Sequence, residues 1–367
     1  MDYFDYRSGA ETSSFSPIFF QIKKEADAEA FNLAVSDPDL QINDTIQRQL
    51  KELILTRNPA TTYTEDQLAS AITEHLGRLG IHEYGIWVLY PWSKRMVHIL
   101  DEQEFTELRT SRNKYKITAA EQHTLSQKRV GIVGLSVGSA IAITMAMERS
   151  FGSLVLADFD TIDLSNLNRL RAKISDIGMN KAVLVAREIA EIDPYLKVEV
   201  VEEGITDENL ERFLSQNGGL DLLIDECDSL EYKLKLRLAA KRLQMAVVME
   251  TSDRGMLDIE RYDLEPDLPL FHGRIASFDL SNPNAISPEM RMQLLMAIVG
   301  FGEVSERLRQ SYTEIGKSLK TWPQLASAVM MGGGTTAEIA RRILLGEQVS
   351  SGRFYVDMNA LVPNLHT

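Results

Sequence analysis

The sequence predicts an α/β protein: a mainly parallel sheet with helices on both faces, preceded by a small N-terminal α+β appendage. Three observations predict it. From Lys128 onward, apolar strand-like runs alternate with helical ones, an order that implies right-handed crossovers and a parallel sheet. The first of these strands runs into the glycine-containing turn "GIVGLSVGS" at 131–139. The stretch before Lys128 lacks that alternation and reads as amphipathic helices and a hairpin.

In the appendage, "SPIFFQI" is strand-like, and "NDTIQRQLKELIL" and "TEDQLASAITEHLGRLG" space their apolar residues as amphipathic helices. The second helix opens with a Thr64-x-x-Gln67 capping pattern. "YGIWVLYPWSKRMVHIL" reads as a hairpin around Pro91 to Ser93. The expected division is 1–108 for the appendage and 109–367 for the main domain, with the polar stretch "RTSRNKYKITAAEQ" joining them.

The main domain runs strand "RVGIVGL", small-residue helix "GSAIAITMAMER", strand "SLVLADFD", helix "NKAVLVAREIAEID", strand "KVEVVEE", helix "TDENLERFLSQ" and strand "LDLLIDECD". "SLEYKLKLRLAAKRLQ" and "AVVMETS" continue the alternation, which is Rossmann-like on pattern alone. After Arg254 come strand "MLDIERYDL", the stretch "EPDLPLF", helical material from Ser287 to Ser318, helix "PQLASAVMMGGGTTAEIARRILLG" and a final strand "GRFYVDM". Gly332 to Gly334 would cost that helix roughly 1 kcal/mol each relative to alanine, so a close-packed contact or a break is expected there.

Composition narrows the function classes. A formal net charge of -14 argues against a nucleic-acid or anionic-lipid binder, and no apolar run is long enough to span a membrane. "MDYFDYRSGAETSS" lacks a basic segment followed by an apolar run, so no signal peptide is expected. The single cysteine, Cys227, rules out an intrachain disulfide or a zinc site built from several cysteines of this chain, and a reducing cytoplasm is the expected compartment. The six histidines form no close metal-type pair.

The turn holds Gly134, Ser136 and Gly138, a weak dinucleotide fingerprint because serine adds a side chain where backbone must approach phosphate. A positive φ at Ser136 would add strain on the order of 1–2 kcal/mol. Asp158 ends the second strand, where an acidic side chain suits the ribose of either NAD or ATP. Asp160, Asn166, Arg169 and Lys181 follow just outside the same sheet edge. Two cations and an amide suit a triphosphate better than a pyrophosphate. Asp225 and Asp228 end a later strand, and a carboxylate there can hold the Mg²⁺ that accompanies ATP.

These residues resemble the ThiF/MoeB family, bacterial relatives of ubiquitin-activating enzymes. "DFDTIDLSNLNR" is similar to the family's Asp-x-Asp…Ser-Asn-Leu-x-Arg segment, "GMNKA" to its Gly-x-x-Lys, "DECDS" to its Asp-x-x-Asp, and "QLASAVMMGGGTTAEIARRILLG" to its long C-terminal helix. The resemblance runs from about Arg109 to the end. It implies ATP-dependent adenylation of a carboxylate, a small acid or a peptide or carrier-protein C-terminus, followed by transfer to an acceptor. It also assigns Asp158 to ribose, Asn166, Arg169 and Lys181 to phosphates, and Asp228 to Mg²⁺ and catalysis. Gly134, Ser136, Gly138 and Asp160 complete the cofactor set. A homodimer is implied, with Arg112, or next Arg109, reaching the partner copy's phosphates. The pattern is also similar to a branch that accompanies a flavin nitroreductase domain. Ser136 and Ser139 depart from the family's glycines and put nucleotide binding in question. The competing readings are an NAD-dependent oxidoreductase and a non-enzymatic dimeric scaffold.

Overall fold

The computed structural model describes residues 14–279 and 287–363, and the chain divides into two compact units. The first holds residues up to Ala119 together with Ile189–Tyr195. Its strands are β1 (Ile18–Phe20), β2 (Gln41–Asp44), β3 (Ile86–Tyr90) and β4 (Arg95–Ile99), in the order β1-β3-β4-β2. Its helices are α1 (Glu25–Val35), α2 (Ile46–Arg57), α3 (Glu65–Leu76) and α4 (Glu102–Arg109), while α5 (Ala119–Leu125) begins at its boundary.

β3 and β4 form the expected antiparallel hairpin through a tight turn at Pro91–Ser93. Both hydrogen bonds of the Thr64–Gln67 capping box form at the start of α3. The unit runs on past residue 108 because α4 ends in Arg109, whose guanidinium binds Asp193, a fully buried carboxylate of the same unit, at 2.9 Å. Two of its elements escape sequence reading. α1 alternates alanines with acids and buries only Ala34, and β2, "QIND", is exposed at every position.

The second unit carries a seven-stranded sheet. In chain order its strands are β5 (Arg129–Val133), β6 (Ser153–Ala157), β7 (Lys197–Val201), β8 (Leu222–Asp225), β9 (Ala246–Thr251), β10 (Met256–Arg261) and β11 (Gly352–Tyr355). The order is β11-β10-β9-β8-β5-β6-β7. The five strands from β9 to β7 pair in parallel, and β10 and β11 join antiparallel at one edge. Strand β5 is therefore flanked by β6 and β8, whose C-terminal ends open at the same edge as its own.

The helices are α6 (Gly138–Glu148), α7 (Lys181–Ile192), α8 (Leu210–Ser215), α9 (Leu230–Arg242), α10 (Pro288–Val299), α11 (Glu306–Tyr312), α12 (Ala326–Leu344) and α13 (Met358–Leu361). Side chains alternate across a strand. α6 meets the sheet on the Ile132 side, while Val133 joins the cluster formed by Leu210 and Phe213 of α8 and Leu236 and Ala239 of α9. Both faces are therefore covered.

The triple glycine lies inside an unbroken α12, and close packing explains two of its members. A Cβ on Gly332 would stand 2.3 Å from the Glu250 carboxyl, and one on Gly333 would stand 2.8 Å from Ala140 Cβ of α6, whereas Gly334 faces open space. No helix among the described residues is long and apolar enough to cross a membrane.

Candidate functional site

The turn after β5 is built around one indispensable glycine. Gly134 has φ +87, and a Cβ there would lie 2.4 Å from the Glu226 carbonyl oxygen and 2.8 Å from the Cys227 nitrogen. The turn is thus laid directly on the backbone that leaves β8. Gly138, the first residue of α6, is needed for packing: its Cβ would approach Ile132 Cγ2 to 2.8 Å. Ser136 is absent from the positive-φ residues, so the strain a left-handed serine would carry does not arise. Its hydroxyl accepts from Lys181 Nζ at 3.4 Å, and the Ser139 hydroxyl donates to the Ser136 carbonyl at 3.3 Å.

Asp158 clasps this turn. Its Oδ2 accepts from Leu135 N–H at 2.6 Å and its Oδ1 from Asp160 N–H at 2.8 Å. Burial pushes its pKa up, against the pull of those two N–H groups. A carboxylate has lone pairs to spare, so a ribose hydroxyl can still be accepted. Asp160 binds Lys181 Nζ at 2.7 Å. Lys181 itself is 5% exposed and has one ammonium proton left after serving Asp160 and Ser136.

Asn180 places that lysine, a role the sequence reading missed. Its Oδ1 accepts from Ala182 N–H at 2.8 Å, capping α7, and its Nδ2 donates to the Asp158 carbonyl at 2.9 Å. An asparagine directly before the run "KAVLVA" was the available signal.

Asn166 and Arg169 belong to the excursion between Asp163 and Gly178. The Asn166 Oδ1 accepts from Asp163 N–H at 3.0 Å within a short 3₁₀ turn, Leu164–Asn168. Arg169 Nη1 donates to the Ser165 carbonyl at 3.3 Å and to Asn168 Oδ1 at 2.9 Å. Its Nε is buried without a partner. Burial lowers the Arg169 pKa, and the charge of Asp228 opposes the shift. Asp228 is exposed and makes no hydrogen bond among the described residues.

Arg112 belongs to the first unit, in an exposed turn at Ser111–Asn113. With Arg109 it lines an open groove of about 630 Å³ floored by Leu55, Phe105 and Ile192.

At the same sheet edge the sequence reading offered Asp225 but missed its partners Lys233 and Arg237, and missed Glu226 and Glu250. Asp225 is fully buried and binds Lys233 at 3.2 Å and Arg237. Burial alone would push its pKa up, but these two cations hold it below the usual carboxylate range, and they already engage the carboxylate that a metal ion would need. Half-buried Glu226 and buried Glu250 lie together, and Glu250 N–H donates to Glu226 Oε1 at 2.8 Å. Burial pushes Glu250 up to about 8 and Glu226 well above its ordinary value. Acids inside the apolar runs "LLIDECD" and "VVMETS" were the legible hint. Among the described residues no group of three or more His, Cys, Asp or Glu could hold a metal by itself.

Cys227 Sγ lies 3.7 Å from the Ser229 carbonyl. Burial, then the neighbouring Asp225 charge, push its thiol well above the ordinary range, the reverse of what a nucleophile needs. Cys227→Ala should keep nucleotide affinity within about twofold and cost about 1 kcal/mol of stability in urea titrations. A loss of binding in a well-folded variant would show that the thiol belongs to the site.

A family model described as "ThiF family" matches residues 110–361. The chain belongs to the ThiF family. It is similar to an uncharacterized protein of Mycobacterium tuberculosis, 46% identical over 279 residues, a match that covers 76% of this chain and 39% of that protein. It is also similar to the tRNA threonylcarbamoyladenosine dehydratase of Bacillus subtilis, 30% identical over 156 residues, covering 42% of this chain and 60% of that enzyme. The chain thus spans under two thirds of either relative. Among solved structures, MccB of E. coli with ATP aligns over 86% of this chain and 85% of its own, with 13% identity and a TM-score of 0.49. TcdA of E. coli with ATP aligns over 65% and 95%, with 19% identity and a TM-score of 0.46.

Proposed function

We propose that this ThiF-family chain is an adenylyltransferase that activates a carboxylate, a small acid or a peptide or carrier-protein C-terminus, with ATP. One observation carries the reading. Arg169 keeps a buried, unpartnered Nε donor within electrostatic reach of Asp228, an exposed carboxylate with no hydrogen bond among the described residues. A desolvated cation suits an anion, and a free carboxylate beside it suits a hydrated divalent ion shared with phosphates.

In this reading Asp158 receives the ribose, and Asn166, Arg169 and Lys181 meet the phosphates. Gly134, Ser136 and Gly138 shape the turn at the head of α6, whose N–H groups favour negative charge. Asp160 holds the Lys181 ammonium in place. A Mg²⁺ ion bound with ATP would be held by Asp228 and would neutralise charge on the phosphates. The substrate carboxylate oxygen bonds to the α-phosphorus as the bond to pyrophosphate breaks. The acceptor then attacks the acyl carbon and AMP leaves with its oxygen. Arg169 and Lys181 act by positioning and by charge neutralisation, without a protein nucleophile.

Homodimerisation with Arg112 acting across the interface, a flavin nitroreductase-type partner and a cytoplasmic location belong to the same proposal. Calorimetry of the purified chain should show ATP–Mg²⁺ bound in preference to NAD. Arg169→Ala should weaken ATP at least tenfold, whereas Asp228→Asn should spare affinity and remove about a hundredfold from ATP–pyrophosphate exchange. Saturable NAD binding with no detectable ATP binding would overturn the reading.

A further inference from the structure

Away from the nucleotide elements, Asp258 on β10 and His272 in the short turn Leu270–Gly273 form a pair that the proposed adenylation does not use. His272 Nε2 lies 3.0 Å from Asp258 Oδ1. The other carboxylate oxygen, Oδ2, accepts from Arg353 Nε at 2.8 Å and Nη2 at 2.6 Å. Asp258 is 1% exposed. Burial would raise its pKa, but the imidazole hydrogen bond and Arg353 hold it low. An ionised Asp258 must accept, so Nε2–H donates to it, and in the neutral ring Nδ1 is left as the basic nitrogen. Nδ1 makes no hydrogen bond among the described residues, and the His272 side chain is 18% exposed.

The backbone is held in an unfavourable form to achieve this. Phe271 and His272, consecutive and neither of them glycine, have φ +48 and +57, in the left-handed region that L side chains disfavour. The surroundings enforce it. Phe271 is wholly buried beneath the Arg237 guanidinium at 4.1 Å, its N–H donates to Glu260 Oε1 at 2.6 Å, and His272 N–H donates to the Pro269 carbonyl at 3.0 Å. Packing accounts for Phe271 but not for a partly exposed imidazole. Charge compensation does not account for it either, because Arg353 already neutralises Asp258. Strain retained at a histidine steered by a buried carboxylate is the arrangement of a general base.

We propose that His272, oriented by Asp258, is a proton acceptor for a nucleophile attacking an activated acyl group, and that the pair is a second chemical centre of this chain. Water, an alcohol or an amine forms a bond from its oxygen or nitrogen to the acyl carbon and gives its proton to Nδ1. The bond from the acyl carbon to the leaving oxygen breaks, and that oxygen departs with the electron pair. The imidazolium, stabilised by Asp258, returns the proton to solvent or to the leaving group. The charged groups around the pair are Arg353 of β11, Arg237 of α9, and Arg274 and Glu303, which bind each other at 2.9 Å. The proposal does not rest on ATP binding, so either reading can fail alone.

The probe is p-nitrophenyl acetate, an activated acyl ester, with the full chain assayed between about pH 6 and 8.5. The wild type should cleave it faster than an equal concentration of 4-methylimidazole. His272→Gln keeps an N–H donor for Asp258 but has no base. It should lose about a hundredfold of the catalysed rate, while its circular dichroism stays that of the wild type. Equal cleavage by His272→Gln, or a wild type no faster than the free imidazole, overturns the proposal. Should the variant fail to fold, carbethoxylation of His272 in the wild type, mapped by mass spectrometry, should abolish cleavage, and retained cleavage after complete labelling overturns it.

Discussion

Arg237→Ala should destabilise the protein by about 3–5 kcal/mol, the cost of breaking a buried ion pair by removing one partner. Arg237 is 0% exposed. Its guanidinium joins Asp225 at the end of β8 to Glu260 on β10, with Nε 2.5 Å from Glu260 Oε2, and it covers the Phe271 ring. Truncation leaves Asp225 with only Lys233 as a cation, and leaves Glu260 with the Tyr262 hydroxyl and the Phe271 N–H. Lysine at this position should recover little, because one ammonium cannot reach both carboxylates with the planar fork that arginine offers. Urea unfolding measures the effect. A loss below about 1 kcal/mol would mean that the network is balanced by its own desolvation and contributes little to stability.

That network also shows where sequence reading stops. The βα alternation from Lys128 was legible because each parallel strand is an apolar run closed by a turn and a helix. β2 was not, because "QIND" buries nothing and is held by pairing with β4. Asp158, Asp160 and Asp228 were legible as acids at or just past strand ends, and Lys181 as the residue that opens a helix. Their partners were not. The Asp160–Lys181 contact exists because Thr161 and Asn180 pair across a long excursion, which no local pattern announces. Ser136 read as a damaged glycine fingerprint. The fold instead gives it an unstrained backbone and turns its hydroxyl to Lys181. Arg237 and Glu260 meet only because β10 returns antiparallel beside β9. Glu226 meets Glu250 only because β8 neighbours β9.

The Glu226–Glu250 pair carries the other large prediction, a loss of stability as the pH rises. Glu250 is 3% exposed, and neither carboxyl oxygen has a partner. Burial raises its folded-state pKa from 4.5 to about 8, above the unfolded value, so the folded state holds the proton more tightly. That linkage stabilises the fold fully below pH 4.5 and is lost as the pH climbs through about 8. At about 1.4 kcal/mol per pH unit the loss is on the order of 3–5 kcal/mol. Glu250→Gln keeps the shape and stays neutral at every pH. Gly332, whose Cβ would stand 2.3 Å from this carboxyl, demands that isosteric choice. The variant should match the wild type near pH 5 and exceed it by several kcal/mol near pH 9 in urea titrations, with a flatter pH profile between. The opposite slope, with the wild type gaining on the variant as the pH rises, would mean that Glu250 is ionised in the folded state and that a cation absent from its present surroundings faces it.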